Sequence, residues 1–251
     1  MKETVKKSIV KLSEDAPKHI EDTIAVEKKL RISVNGKEIV RLYCTPVMVR
    51  ELVVGLFMTE GFIKGNWCTD RMTIEYADEI RVDIPAEGEA DTKGASITSG
   101  CVGGISMPAQ DLKTLEDDFR ISGDSIIEVF KTFQGMSALY KDTGCIHSAA
   151  LSDGRYVVSY AEDIGRHNAV DKVIGYCFLE RIDFSNKIML ASGRLSSEIV
   201  TKCARWGIPI VASRTAPTSL AVEIGDRYGV TVVGFIRGGR MNVYSHAKRI
   251  G

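Results

Sequence analysis

Residues 187–235 read KIMLASGRLSSEIVTKCARWGIPIVASRTAPTSLAVEIGDRYGVTVVGF, and this stretch decides the fold. Three short apolar runs predict buried strands, and two amphipathic runs between them predict helices. These five elements are predicted at 187–191, 197–206, 208–212, 219–228 and 230–235. Strands that alternate with helices at this spacing form a layered α/β sheet with crossover helices.

The same alternation begins upstream of this stretch. A strand is predicted at 156–160 and a long helix at 168–179, and a helical pattern resumes after Pro108. We therefore predict one α/β domain over residues 109–251. Sheets of this kind bind their ligands at the carboxyl ends of the strands, so we expect the ligand site there.

The chain before Pro108 has a different pattern. Residues 23–43 alternate between apolar and polar positions, with Asn35-Gly36 as the turn of a hairpin. Thr45-Pro46 predicts a helix start, with Pro46 at the first helical position, and Gly61 predicts the end of that helix. Residues 73–84 are predicted to form a further strand, which makes this part of the chain α+β.

The sequence is thus expected to form three parts: an N-terminal extension at 1–22, a smaller α+β domain at 23–108 and the α/β domain at 109–251. The 33 basic and 33 acidic residues give a net charge of zero, which argues against a general nucleic-acid binder. No apolar run approaches the roughly 18 residues of a membrane span, and the charged N-terminus does not resemble a signal peptide. We expect a soluble protein of the reducing cytoplasm.

Four loops at predicted strand ends combine Arg with Gly or small hydroxyl residues. They are Ser192-Gly193-Arg194, Ser213-Arg214-Thr215, Arg237-Gly238-Gly239-Arg240 and, before the long helix, Gly165-Arg166-His167. Backbone donors, helix N-termini and guanidinium groups of this kind bind phosphate. Ordinary turn chemistry explains any single loop, whereas four together predict a site for a phosphate-rich ligand. Neither of the usual glycine-rich nucleotide motifs occurs in the chain.

His167 has two interpretations. Asp163, His167 and Asp171 are spaced to share one face of a helix start, which would orient an imidazole for proton transfer or metal binding. The alternative is helix capping by the acidic residues with a salt bridge to Arg166. Zinc hydrolysis is rejected, because the single H-x-E triplet, at 19–21, has no P-C-x-x-C partner. His147 lies in another candidate loop.

The six cysteines include no C-x-x-C pair. Cys177 and Cys203 fall on apolar stripes at helical spacing and are predicted to be core residues. Cys44 ends an apolar strand and is expected to be structural, and Cys145 is expected to pack in the interior. The context of Cys68 is uninformative.

Cys101 differs from the other cysteines. It lies in a stretch at 96–106 that is rich in Gly, Ser and Thr and has no amphipathic period. Glycines on both sides would leave the thiol unshielded, and successive N–H groups there could stabilise a thiolate or persulfide. A flexible loop that merely contains a cysteine is the alternative.

Several motifs together resemble the formate dehydrogenase accessory sulfurtransferase family, the FdhD-like proteins. The matching segments are Cys44-Thr45-Pro46 with Glu60-Gly61, TGCIH at 143–147, EDIGRHNAVDK at 162–172, SGR at 192–194, APTSLA at 216–221, and GFIRGGR at 234–240 followed by NVY at 242–244. They occur in the family's order over nearly the whole chain, and the string at 162–172 is highly specific.

The resemblance implies a cytoplasmic sulfur carrier that pairs as a homodimer. Such a protein takes persulfide sulfur from a cysteine desulfurase and passes it to the molybdenum (or tungsten) bis-molybdopterin guanine dinucleotide of formate dehydrogenase. It also implies a C-terminal part similar to the cytidine deaminase fold, without an intrinsic metal. By the same resemblance, Cys101 carries the persulfide. The cofactor-binding segment is implied to be Phe235, Ile236, Arg237, Gly238, Gly239 and Arg240.

One departure from the family pattern bears on the mechanism. Members commonly carry two cysteines three residues apart in this loop, whereas here Cys101 is the one cysteine of the segment. A single thiol can hold a persulfide, because exchange needs one attacking and one leaving sulfur. It cannot form a disulfide within the loop. The departure therefore keeps a second hypothesis open, in which the protein is a chaperone that binds the cofactor without sulfur chemistry.

Overall fold

A computed structural model describes residues 1–13, 16–62, 66–87, 96–97, 105–106 and 112–251. The strands are β1 Thr4–Lys11, β2 Lys18–Ala25, β3 Lys28–Val34, β4 Lys37–Cys44, β5 Thr73–Tyr76, β6 Ile80–Ile84, β7 Ser96–Ile97, β8 Ile105–Ser106, β9 His147–Ser152, β10 Val157–Asp163, β11 Ile188–Ala191, β12 Ile210–Ser213, β13 Thr231–Arg237 and β14 Arg240–Val243. The helices are α1 Val49–Glu60, α2 Gly123–Met136, α3 Ala138–Thr143, α4 Arg166–Leu179, α5 Ser197–Arg205 and α6 Ser219–Tyr228.

The C-terminal part is built on a six-stranded sheet in the order β10-β9-β11-β12-β13-β14. The three strands predicted at 187–235 form its parallel centre, and the helices between them lie where the sequence places them. Side chains alternate across the sheet: Met189 and Val211 pack against α4, α5 and α6, whereas Leu190 and Ala212 pack against α2. The predicted layered α/β architecture is therefore confirmed.

The N-terminal part contains a four-stranded sheet in the order β4-β3-β6-β5, covered by α1. The predicted hairpin turn is present, with positive φ angles of 50° at Asn35 and 76° at Gly36. Gly61 ends α1 as predicted, because its left-handed conformation lets its N–H reach the carbonyl of Phe57.

Two predictions for this part are wrong in detail. The helix begins at Val49, so Pro46 precedes its first turn, and Met48 takes the left-handed conformation at the N-terminus instead. Thr45 does not cap the helix. Its backbone N–H and its hydroxyl donate to the carboxylate of Asp163 in the C-terminal part. The strand predicted at 73–84 is two antiparallel strands, because residues 77–79 turn the chain between β5 and β6.

Residues 4–25 form an antiparallel hairpin, β1–β2, whose side chains are mostly exposed. The predicted limit of the N-terminal extension at residue 22 falls inside β2, and the division into three parts stays a prediction. In the part of the chain that the structure describes, no helix combines the length and the apolar character needed to cross a membrane.

The two parts meet where α1 crosses α4 at the closest approach of their backbones. A methyl group placed on Gly55 would lie 1.8 Å from the backbone oxygen of Asp171, and one placed on Gly175 would lie 1.9 Å from that of Glu51. Neither neighbour can move without shifting its helix. Only glycine therefore allows the two helices to pack at this distance.

Gly55→Ala should lower the free energy of unfolding by about 3 kcal/mol or more, because the added methyl group forces the two helices apart. Urea denaturation followed by circular dichroism measures this change. The matched control is Gly135→Ala in α2, where a methyl group meets no atom within 4 Å. That variant should be as stable as the parent or slightly more so. Equal stabilities for the two variants would contradict the packing argument.

Candidate functional site

The four strand ends singled out in the sequence lie at one edge of the six-stranded sheet. Strands β10 and β11 are both antiparallel to β9 and therefore run in the same direction as each other, with β12 and β13 parallel to β11. Their carboxyl ends consequently face the same way. The structure places Gly165, Arg166 and His167 after β10, and Ser192 to Arg194 after β11.

Three of the predicted loops contact one another directly. A methyl group placed on Gly193 would lie 3.3 Å from Cβ of Arg166. The hydroxyl of Ser213 donates to the carbonyl of Gly193 at 2.7 Å, and it also accepts the backbone N–H of Thr215 at 3.1 Å. The backbone N–H of Phe235 donates to the carbonyl of Thr215 at 3.1 Å. The edge is therefore one connected surface from α4 to the end of β13.

The segment 237–240 has a different form from the one predicted. It was predicted as a strand-end loop, and it is the turn of a hairpin, because β14 follows β13 at once and pairs with it antiparallel. Gly238 and Gly239 have φ angles of 59° and 74°, and methyl groups placed on them meet no atom within 4 Å. The turn projects from the sheet, and Arg240 on it is exposed.

Phe235 marks the base of this hairpin. It has a left-handed φ of 54°, at an irregularity in the pairing of β13 with β14. The guanidinium carbon of Arg237 lies 5.5 Å from the centre of the Phe235 ring, while Ile236 is buried beneath the sheet. Such backbone strain is common where a chain is held in place for a function.

The arginines of the edge are in two environments. Arg166 is buried at the start of α4, whereas the side chains of Arg194 and Arg214 are exposed, as is that of Arg237. Exposed guanidinium groups beside backbone N–H groups are suited to bind phosphate oxygens from solvent.

His147 is the first residue of β9 and not part of a loop. Its Nδ1 lies 3.3 Å from the hydroxyl oxygen of Ser192, which accepts the backbone N–H of Ser148 at 2.9 Å. Burial lowers the pKa of His147, and the nearby guanidinium of Arg166 lowers it further. His147 is therefore a neutral imidazole at neutral pH.

The prediction that Asp163, His167 and Asp171 share a helix face is wrong for Asp163. Asp163 ends β10, and its buried carboxylate pairs with Lys172 at 2.7 Å. Asp171 faces α5 and pairs with Lys202 at 2.6 Å. These carboxylates are held by lysines, and among the described residues no cluster of His, Cys, Asp or Glu is arranged to hold a metal ion.

His167 packs against the start of α5. Its Nε2 lies 3.0 Å from the hydroxyl oxygen of Ser196 and 3.9 Å from a carboxylate oxygen of Glu198. Burial lowers the pKa of His167 to about 3, and the charges of Lys202 and Arg166 act in the same direction, against the opposing effect of Glu198. The imidazole is accordingly neutral.

A cleft of about 260 Å³ opens beside this edge, between α2, α3 and the start of β9. Arg214 and Ser192 line it from the strand-end loops, and His147 lines it from β9. The remaining lining residues are Phe130, Phe133, Gln134, Ser137, Tyr140, Ile146 and Ser148. The contribution of α2 and α3 could not be predicted from the sequence, because an amphipathic pattern shows that one face of a helix packs but not which loop lies beside it.

The cysteines fall into separate classes. Cys44, Cys177 and Cys203 are buried, as predicted, and burial raises their pKa to about 12, 11 and 12. Cys145 is exposed, so its predicted packing in the interior is wrong: it follows the end of α3 and precedes the first buried residue before β9. Cys101, the predicted persulfide carrier, lies outside the described residues.

The protein is an α/β protein with two mixed sheets that are covered by helices and joined where α1 packs on α4. The strand ends of the larger sheet form one connected surface. A model of the FdhD/NarQ family matches residues 25–251, and the chain belongs to that family. It is 36% identical over 239 residues to the sulfur carrier protein FdhD of Bacillus subtilis, covering 92% of this chain and 91% of that protein. It is 38% identical over 237 residues to the protein of the same name from Bacillus pumilus, covering 91% and 90%.

A solved structure is similar over the whole chain. The crystal structure of a protein from Desulfotalea psychrophila, described as a formate dehydrogenase accessory protein, has a TM-score of 0.82 and 28% sequence identity, covering 100% of both chains. The family resemblance inferred from the sequence motifs is therefore confirmed.

His167→Gln should make stability less dependent on pH. In the folded protein His167 stays neutral down to a pKa of about 3, whereas an exposed imidazole takes up a proton near pH 6.5. Below pH 6.5 the unfolded chain therefore binds the extra proton, and folding stability falls as the pH decreases. Without this group, the loss between pH 6.5 and 5 should be smaller by up to about 1.4 kcal/mol per pH unit.

Urea denaturation at pH 7.5, 6 and 5 measures this difference. Burial raises the pKa of Asp171 to about 6, which acts in the opposite direction, so the comparison is made between variant and parent at each pH. His19→Gln on the exposed β1–β2 hairpin is the control and should retain the parent's slope. Identical slopes for His167→Gln and the parent would contradict a neutral, buried His167.

Proposed function

We propose that this chain is a sulfur carrier that serves formate dehydrogenase. The proposal is supported by its membership of the FdhD/NarQ family over residues 25–251. It is also supported by relatives named sulfur carrier protein FdhD, which are 34–38% identical over more than nine-tenths of the chain.

Cys101 is the proposed carrier of the sulfur. Its thiolate attacks the terminal sulfur of a persulfide on a cysteine desulfurase; a new S–S bond forms on Cys101, the donor's S–S bond breaks, and the donor cysteine leaves as a thiolate. The exchange needs no external oxidant or reductant. Cys44, Cys177 and Cys203 are poor alternatives, because burial raises their pKa and leaves little thiolate at neutral pH.

The proposed recipient is the molybdenum (or tungsten) bis-molybdopterin guanine dinucleotide, bound as cargo. The observation that carries this part is the connected edge of the six-stranded sheet, where three predicted phosphate-binding loops contact one another. Exposed Arg194 and Arg214 offer guanidinium groups to phosphate oxygens at this edge. Arg237 and Arg240 offer two more on the projecting β13–β14 turn, where the bare backbone of Gly238 and Gly239 permits close approach.

Finer expectations belong to the same proposal. We infer that the protein works in the cytoplasm as a homodimer, receives its sulfur by docking to the desulfurase, and releases its loaded cargo to formate dehydrogenase. The similarity of residues 109–251 to the cytidine deaminase fold is likewise a prediction. A central sheet with α2 on one face and α4 to α6 on the other is compatible with it.

Cys101→Ala should abolish sulfur transfer without unfolding the protein. After incubation with a cysteine desulfurase and cysteine, intact-mass spectrometry of the parent should show one added sulfur atom, and peptide mapping should assign it to Cys101. The variant should take up no sulfur and should activate formate dehydrogenase no better than a reaction that lacks the protein. Cys68→Ser is the control, and it should match the parent in both assays.

The same assays separate the chaperone hypothesis from sulfur transfer. Arg240→Ala should still acquire sulfur on Cys101 but should activate formate dehydrogenase poorly, because it weakens the hold on the cargo. Full activation by Cys101→Ala, combined with failure of Arg240→Ala, would show a chaperone without sulfur chemistry. Sulfur found on Cys145 in place of Cys101 would overturn the assignment of the carrier residue.

A further inference from the structure

The β1–β2 hairpin at residues 4–25 has no role in the proposed sulfur transfer. Its two strands form a sheet of their own, and β2 passes beside α3 before the chain enters β3. Isolated two-stranded hairpins are marginally stable in water, because two strands alone cover little apolar surface. A hairpin with strands of eight residues is therefore expected to place one of its faces on another surface.

The two faces of the hairpin differ in character. Side chains alternate between the faces along a strand, and directly paired residues share a face. One face, called the aliphatic face here, carries two aliphatic rows, Val5 with Ile24 and Ile9 with Ile20. Val5, Ile24 and Ile20 are 41%, 40% and 37% exposed. The opposite face is mostly polar, and its rows are Thr4–Ala25, Lys6–Thr23, Ser8–Glu21 and Val10–His19.

Charged residues on the aliphatic face follow a symmetric order. Lys7 pairs with Asp22 in the central row, between the two aliphatic rows. Lys11 lies directly opposite Lys18 in the row at the tip, where two like charges repel each other. At the base, the next row begins with acidic Glu3, whose carbonyl accepts the last backbone hydrogen bond of the hairpin. From base to tip the rows are acidic, aliphatic, oppositely charged, aliphatic and basic.

We propose that the aliphatic face is a dimer interface that packs on the same face of a second copy of this chain. A half-turn about an axis that runs across the strands, through the central row, turns the second hairpin end for end. Val5 then lies over the partner's Ile9, and Ile24 lies over the partner's Ile20. The inference rests on the homodimer of the proposed function and adds the surface that forms it.

The same half-turn brings opposite charges together at both ends of the interface. Glu3 of each copy faces Lys11 of the partner subunit. Stacked sheets lie about 10 Å apart, a gap that a glutamate and a lysine side chain span together. Hairpins packed in the same direction would instead crowd four lysines at one end. Because the face fits its own image end for end, a second copy is favoured over an unrelated partner.

The expected interface is small. It has five rows of two residues from each copy, whereas a standard interface has about 20–30 residues a side. Each contact occurs twice by symmetry, so one substitution changes two contacts per dimer. Single changes in the end rows should therefore have a measurable effect on dimer dissociation.

Charge reversal tests the orientation of the two copies. Analytical ultracentrifugation of the full-length parent over a range of concentrations gives the Kd of the dimer. Lys11→Glu and Glu3→Lys should each raise this Kd by about tenfold or more, because each places two pairs of like charges in contact. The double variant Glu3→Lys with Lys11→Glu exchanges the two charges and should restore the Kd to within about threefold of the parent's.

Ile24→Thr tests the aliphatic contact. It should raise the Kd of the dimer, because a hydroxyl replaces apolar surface that the second copy covers. Val10→Thr is the matched control, because Val10 is 50% exposed on the opposite face and should be free of the interface. Threonine is β-branched and suits a strand, so both variants should keep the parent's circular dichroism spectrum.

A parent that stays monomeric at its highest soluble concentration would overturn the proposal. A dimer whose Kd is unchanged by Ile24→Thr and by both charge reversals would also overturn it, and would leave a homodimer formed by another surface. Failure of the double variant to restore the Kd would contradict the end-for-end packing and overturn the proposal as well. Sulfur uptake on Cys101 is measured separately by intact-mass spectrometry, so loss of the carrier function is distinguishable from loss of the interface.

Discussion

The rest of the structure depends on the joint between α1 and α4. Two glycines, Gly55 and Gly175, bring the helix backbones into contact, and buried ion pairs fix them there. Lys202 lies between Asp171 at 2.6 Å and Glu60 at 3.0 Å, and so links α4 and α5 to the end of α1. Burying these charges is costly, and it is tolerated only because each is met by partners at hydrogen-bond distance.

A second buried pair extends the joint to the edge of the six-stranded sheet. The ammonium of Lys172 lies 2.7 Å from the Asp163 carboxylate and donates to the hydroxyl of Thr45 at 2.7 Å. Asp163 in turn accepts the N–H groups of Thr45 and Gly165. One carboxylate therefore binds the end of β4 to the loop that begins α4. This contact fixes the positions of Arg166 and His167, because it holds Gly165, the residue directly before them.

These buried ion pairs show that the most distinctive motif of the sequence, at 162–172, has a structural role. The string at 162–172 looks catalytic, with two aspartates, an arginine and a histidine in eleven residues. In the structure both aspartates are paired with buried lysines, and Asn168 donates to the carbonyl of Tyr43 at 2.8 Å. Much of the motif thus joins the two parts of the chain. A rigid joint preorganises the strand-end loops beside it, which lowers the entropic cost of binding a large anionic ligand.

Local sequence patterns predicted the helices, strands and turns, whereas contacts between residues far apart in the chain could not be predicted from them. Periodicity located the strands and helices of 187–235, and the Asn35-Gly36 turn was evident, because both signals depend on neighbouring residues. The pairing of Asp163 with Thr45 could not be predicted, since the two residues are 118 positions apart. The cleft could not be predicted either, because its walls come from α2 and β9, which are separate elements of the chain.

The structure shows where the charged residues of this chain of zero net charge lie. A balance of 33 basic and 33 acidic residues gives the whole chain no basic field, which argues only against a general nucleic-acid binder. The charges are nevertheless segregated by environment: Lys172 and Lys202 are buried against carboxylates, whereas Arg194 and Arg214 stand exposed at the strand-end edge. A compact ammonium satisfies several oxygens within a buried joint, and a planar guanidinium can grip a phosphate from solvent, so a neutral chain can present a cationic edge.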